Sequence, residues 1–204
     1  AMQMPAEAFG LNEEPQAFRE AARDFADKEL APHAAQWDAE GIFPREAIAK
    51  AAELGFCGLY TAEDVGGLGM RRLDAAVVFE ELAAVDPSTS AFISIHNMAT
   101  WLIAAYASAA VRAHWGPRLT SGQALASYCL TEPGAGSDAG SLKTRALRDG
   151  DAWVLDGSKA FISGAGATDV LVVMARTGGE GPRGISAFVV PADAPGIAYG
   201  RKEE

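Results

Sequence analysis

The chain has 204 residues, 49% of them hydrophobic and 22% charged, which suits an ordinary globular protein of one large domain or two small ones. Its formal charge of -10, from 17 Lys and Arg against 27 Asp and Glu, argues against nucleic acid as a partner, because phosphate binding draws on clustered cations. Cys57 and Cys129 stand without metal-ligand spacing, and no basic segment leads into an apolar core at the N-terminus, so a reducing, cytoplasmic setting without a metal site is expected.

As far as Gly122 the pattern is helical. Asn12 is placed to cap a helix whose first turn holds Glu13, Glu14 and Pro15, and Phe18, Ala22, Phe25 and Ala26 then recur at helical spacing. Pro44 opens a second helix through Ile48, Ala51 and Leu54, closed by Gly55. Val65 to Gly69 reads as a loop. Between Arg71 and Val85 the residues Leu73, Val77, Val78 and Leu82 share one apolar helical face. Asp86-Pro87 interrupts, and Ser88 is the expected cap of the next, long helix. No Lys, Arg, Asp or Glu occurs from Ser88 to Ser108, a stretch long enough to raise the question of a membrane span. Its polar content, including Ser90, Ser94, His96, Asn97 and Thr100, is too high for one, so a buried helix and no membrane association are expected. A last helix from about Ser108 to Leu119 ends in the turn Thr120-Ser121-Gly122.

Past Gly122 the segments become short and turn-bounded: Leu125 to Thr131, Thr144 to Leu147, Trp153 to Asp156, Lys159 to Ser163, Val170 to Arg176 and Ile185 to Pro191. Asp149-Gly150 and Asp156-Gly157 are hairpin-type turn signals. The expected fold class is α+β: an all-helical domain over residues 1–122, then an antiparallel β-sheet or barrel over residues 123–204.

The densest chemistry lies in Tyr128-Cys129-Leu130-Thr131-Glu132-Pro133-Gly134-Ala135-Gly136-Ser137-Asp138, which joins a phenol, two hydroxyls, two carboxylates and two glycines. Glycines admit a close backbone approach, and short hydroxyl side chains hydrogen-bond a ligand without filling its space. Gly134 to Ala139 formally matches the dinucleotide pattern G-x-G-x-x-G/A. That pattern has to open an amphipathic helix in a βαβ unit, whereas Gly140 and a charged, hairpin-forming stretch follow here, so a Rossmann site is rejected. A second aromatic-plus-hydroxyl cluster, Phe161-Ile162-Ser163, lies in Lys159-Ala160-Phe161-Ile162-Ser163-Gly164. Two such clusters on adjacent strands suit one flat, polar-edged cofactor.

YCLTEPGAGSD and GSKAFISGAG resemble the flavin-binding signature of the acyl-CoA dehydrogenase family. The resemblance extends along the chain through Asp64 to Ala83, Ser94 to Ile103 and Arg176 to Pro191. Within the family it is greatest for the short branched-chain members that act in valine breakdown. It implies FAD as cofactor, held by Tyr128, Cys129, Leu130, Thr131, Glu132, Pro133, Gly134, Ala135, Gly136 and Ser137 and by Phe161, Ile162 and Ser163. Tyr128 and Thr131 would lie beside the isoalloxazine, Phe161 would cover its face, and the Ser163 hydroxyl would reach the nitrogen that accepts hydride. Many members carry Trp and Thr where Phe161 and Ser163 stand, both conservative departures. Ser137 would contact the acyl-CoA. His96, on the helix that resembles the pocket wall, is a second substrate candidate, although a lone buried His is more often a satisfied core residue. Glu132 and Asp138 read as caps of the local backbone rather than as a catalytic pair, and Lys159 as a strand-edge residue.

The implied reaction is α,β-dehydrogenation of a short acyl-CoA thioester, with electrons passed on to electron-transferring flavoprotein. The resemblance also implies a homotetramer and a catalytic Glu in a C-terminal helical domain, so no catalytic residue is expected in these 204 residues. Two other classes stay open. One is an acyl-CoA oxidase or related flavoenzyme on the same scaffold; the other is a non-catalytic acyl-CoA-binding module.

Overall fold

The computed structural model describes residues 13–201. The proposed cap Asn12 therefore lies outside the described residues. The chain divides between Gln123 and Ala124 into two compact units, one helical and one built on a sheet.

The helical unit contains α1 (Glu13–Phe25), continued by a π-helical turn Ala26–Leu30, then α2 (Ala34–Glu40), α3 (Arg45–Glu53), α4 (Arg72–Ala83), α5 (Pro87–Tyr106) and α6 (Ala109–Thr120). Helix α2 was not expected from the sequence; all seven of its residues keep some exposure, so it has no apolar stripe to betray it. Ala22, Phe25, Ala26 and Leu30 are buried with Ile48, Ala51, Phe56, Val78, Leu82, Ile93 and Ile103 to form the core. Leu73 leaves the expected face of α4 and is 45% exposed, while Val77, Val78 and Leu82 are buried. Glu81 on α4 accepts from Arg23 at 2.9 Å and from Arg19 at 3.0 Å, which ties α1 to α4 by charge as well as by packing. Gly55 ends α3 with φ 82°, the left-handed conformation that a C-terminal glycine supplies.

Asp86, rather than Ser88, caps α5. Its carboxylate accepts from Ser88 N at 3.0 Å and Thr89 N at 3.1 Å, and Pro87 takes the first helical position, where a missing N–H costs nothing. The polar residues inside α5 bind backbone. Asn97 accepts from Leu59 N at 2.8 Å and donates to Phe56 O at 2.7 Å, fixing the irregular segment between α3 and α4 against the helix. Among the described residues no helix is long and apolar enough to cross a membrane.

In the second unit, β1 (Ala126–Cys129), β2 (Arg145–Asp149), β3 (Ala152–Asp156), β4 (Val170–Arg176) and β5 (Ile185–Pro191) form one sheet. It is mixed rather than wholly antiparallel. The β2–β3 and β4–β5 pairs are antiparallel, but β1 runs parallel to β4 from Ala126↔Val170 to Cys129↔Val173, and β2 meets β4 in parallel at Arg145↔Arg176. Strand β5 takes one edge of β4 along its whole length, so β1 and β2 share the other. Strand β4, VLVVMAR, is central and buried over most of its length, which explains its unbroken apolar run. Gly150, at φ 60°, turns the β2–β3 hairpin as its Asp-Gly signal indicated. Asp156-Gly157 does not turn a hairpin. The chain passes Thr144 instead, and a Cβ on Gly157 would lie 2.6 Å from Thr144 Cα.

Candidate functional site

Strand β1 delivers the run. Its alternation sends Ser127 and Cys129 into the unit and leaves Tyr128 and Leu130 partly accessible, the usual consequence of a period of two. Glu132 N and Ala135 O, then Ala135 N and Glu132 O, pair at 3.0 and 3.1 Å around Pro133-Gly134, closing a tight turn. A short 3-10 turn at Ala139–Ser141 follows, with no α-helix, so the glycine run does not open a dinucleotide-type helix. Gly134, Gly136, Ser137 and Asp138 are exposed, and a Cβ placed on either glycine would meet open space. Asp138 is hydrogen-bonded by the Ser141 hydroxyl and makes no side-chain cap bond to the turn that follows it.

The second cluster is a loop, not the strand expected over Lys159 to Ser163. It is nevertheless bonded to the run in consecutive steps. Lys159 Nζ donates to Leu130 O at 3.0 Å and to Glu132 Oε1 at 2.8 Å, and Ala160 N donates to Thr131 O at 2.9 Å. Ser127 Oγ donates to Ser163 O at 2.7 Å and lies 2.8 Å from Thr168 Oγ1. These contacts bring together Tyr128 to Glu132 and Phe161 to Ser163. Phe161 is the one non-glycine residue among those described with positive φ, at 56°, and its side chain is 74% exposed. Ile162 and Ser163 are half-buried behind it.

Glu132 is the electrostatic centre of the cluster. Its side chain is almost fully buried, and it accepts from Lys143 N at 2.6 Å and Thr144 N at 2.9 Å besides Lys159. Burial pushes its pKa up, but the Lys159 ammonium and the two amides outweigh that and hold the carboxyl at about 2, well below the usual carboxylate range. Burial pushes the Cys129 thiol up to about 11 against the opposing Lys159 charge, so the residue is an inert wall and not a nucleophile. A cleft of about 290 Å³ lies beside the pair, lined by Glu132, Pro133, Gly134, Ser141, Lys143, Thr144 and Ser158. The helical unit has a larger hollow of about 420 Å³, lined by Glu53, Leu54, Leu68, Pro117, Thr120 and Ser121 among others.

His96 is fully buried in the helical unit, with Nε2 2.9 Å from Leu119 O and 3.4 Å from Thr100 Oγ1. It is a histidine of the helical core with no exposed surface. Sequence reasoning missed the parts played by Ser127, Thr168 and Lys159. The available signals were a hydroxyl at an inward strand position and a lysine between two turn-forming segments; neither identifies its partner.

Residues 12–123 match the model of the acyl-CoA dehydrogenase N-terminal domain, and residues 127–204 that of the acyl-CoA dehydrogenase middle domain. A mitochondrial isobutyryl-CoA dehydrogenase of Dictyostelium discoideum is 53% identical over 202 residues, covering 98% of this chain and 49% of the relative. A glutaryl-CoA dehydrogenase from Mycobacterium smegmatis, solved in complex with FADH2, has a TM-score of 0.85 at 30% identity, covering 92% of this chain and 48% of that one. A chain solved in work on the electron transferring flavoprotein of Acidaminococcus fermentans has a TM-score of 0.86 at 33% identity, over 100% of this chain and 53% of its own. The chain thus spans about half the length of the curated relatives it matches. With both domain models matched in order and the identity sustained along its length, the chain belongs to the acyl-CoA dehydrogenase family.

Proposed function

We propose that these two units are the N-terminal and middle parts of a flavin-dependent enzyme that desaturates a short, branched acyl-CoA thioester between its α and β carbons. One observation carries the reading. The two clusters that resemble the family's flavin site, far apart in sequence, are bonded to each other through Leu130, Thr131 and Glu132, and an aromatic ring stands largely exposed beside them.

The residues fit FAD. Phe161 presents a flat apolar face that has no protein cover, and open space adjoins Gly134 and Gly136. Bound there, the flavin would supply the acceptor for the hydride leaving the β carbon. Thr131 and Tyr128 would hydrogen-bond or flank its polar edge, and Thr131 would stabilise negative charge on the pyrimidine side as the ring is reduced. The Ser163 hydroxyl would donate to the hydride-accepting nitrogen, and Phe161 would exclude water from one face. Ser137, exposed at the end of the glycine run, would position the thioester. His96 is a core residue of the helical unit.

Proton abstraction needs a base with a free carboxylate in reach of the α carbon. Glu132 is committed to two amides and Lys159, and its carboxyl is held at about 2, too weak a base for the work. Asp138 is bonded to Ser141. We therefore assign the base to neither, and place it, with the tetramer contacts, in sequence beyond these two units. Electrons would leave to an electron-transferring flavoprotein. The free, buried Cys57 and Cys129 suit a reducing compartment, either the cytoplasm or an organelle such as the one named for the Dictyostelium relative.

The test is to express the full reading frame, record the flavin spectrum of the purified protein, and assay dye reduction with isobutyryl-, butyryl-, isovaleryl- and octanoyl-CoA. Flavin absorbance with greatest activity on isobutyryl-CoA is expected. A colourless protein inert toward all four thioesters would overturn the reading, and rapid oxygen consumption would convert it to an oxidase.

A further inference from the structure

Lys159 and Glu132 form an ion pair in which both side chains are nearly buried, 11% and 7% exposed. The Arg19–Glu81 pair is more exposed, with Arg19 at 24%, and pairs such as Arg145–Asp156 and Lys28–Asp24 lie open to water. Removing two charges from water costs roughly what their attraction returns, so a buried pair is not explained by stability alone. What this pair does supply is geometry. Leu130, Thr131 and Glu132, three consecutive residues of the run, are each bonded by Lys159 or Ala160, two consecutive residues of the second cluster. Glu132 is held in turn by the amides of Lys143 and Thr144 at the start of β2, so the clamp is anchored in the sheet. The next residue after the clamp is Phe161, in its left-handed conformation.

We propose that the buried Lys159–Glu132 pair is a positioning device that sets the spacing and angle between Thr131 and the Phe161–Ser163 loop, and thereby the seat of the flavin. The proposal rests on the flavin reading above. Neither residue touches the reacting atoms; both act through Thr131 and Phe161. Lysine suits the task because its compact ammonium satisfies a carbonyl and a carboxylate at once.

The test compares the full-length protein with the double variant Glu132→Gln/Lys159→Met, which removes both charges and leaves neither unpaired. Circular dichroism and the thermal midpoint report folding. FAD titration of the flavin-free protein and the visible spectrum of the bound flavin report the seat. The double variant is expected to fold, with a midpoint lowered by the loss of the Glu132 carboxylate, while FAD binding weakens on the order of tenfold and the flavin bands move toward those of free FAD. A purely structural pair would not move that spectrum. If the wild-type protein binds no FAD, the flavin reading falls and takes this proposal with it. If the wild type binds FAD and the double variant keeps the same affinity and spectrum, this proposal alone is overturned. Should the double variant not fold, Lys159→Met alone decides by the same two readings, since the Glu132 carboxylate still accepts from the Lys143 and Thr144 amides: an altered spectrum and affinity sustain the clamp, unaltered ones end it.

Discussion

Phe161 holds a backbone conformation that costs a non-glycine residue on the order of 1–2 kcal/mol, and holds it with its ring largely in water. Such strain persists where the surroundings over-determine it, and a ligand clamp is one such place. Phe161→Gly should therefore change the stability of the flavin-free protein by no more than about 1 kcal/mol in a urea melt, against about 3–5 kcal/mol for emptying a core position such as Phe56. The same substitution should weaken FAD binding. A large loss of stability would mean that the ring packs in the folded core. Glu132 makes a second residue-scale prediction. Its pKa is depressed from 4.5 to about 2 in the folded protein, so its contribution is complete above about 4.5 and is lost as pH falls toward about 2. That contribution is about 3 kcal/mol. Acid melts of wild type and Glu132→Gln should converge across that window; parallel curves would refute the assignment. The carboxylate was legible in the sequence as a backbone cap, but its second job, holding Lys159, was not. The partner lies on a segment that periodicity read as a strand.

Among elements, α5 shows how a local rule selects the wrong neighbour. Ser88 precedes the uncharged run and is a sound N-cap by residue type, yet Asp86 has the extended backbone that a cap requires and receives the Ser88 and Thr89 amides. The Thr89 hydroxyl also donates to it, at 2.6 Å. Asp86→Ala should cost about 1–2 kcal/mol in denaturant unfolding, while Ser88→Ala should stay within about 0.5 kcal/mol. The reverse order would restore Ser88 as the cap. The sheet shows a second limit. All five strands were visible as short, turn-bounded segments, β4 and β5 to the residue, and in β4 burial on a pleated surface adds an apolar imprint. Direction was not visible for β1. A two-residue turn forces antiparallel pairing, as at Gly150, but β1 and β4 are separated by a loop, a hairpin and the second cluster, and no local signal states which way the chain returns.

For the whole molecule, both domain models are matched and the sequence resembles its relatives from end to end of what they share, about half of their length. Among the described residues the proposed flavin seat holds no uncommitted carboxylate, which yields a direct expectation. The 204-residue polypeptide alone should reduce no acceptor with isobutyryl-CoA, whereas the full reading frame should. Turnover by the shorter protein would return the base to one of its own carboxylates. By itself the amino-acid sequence determined where helices give way to strands, that the glycine run does not open a dinucleotide helix, and which two clusters to examine. These follow from periodicity, turn chemistry and motif, all read within a few residues. Only the tertiary structure decided that His96 belongs to the core, that β1 lies parallel to β4, and that Lys159 and Ala160 grip Leu130, Thr131 and Glu132. Each of those joins groups far apart along the chain, and such contacts are selected by the packing of the whole unit, not by the preferences of either segment.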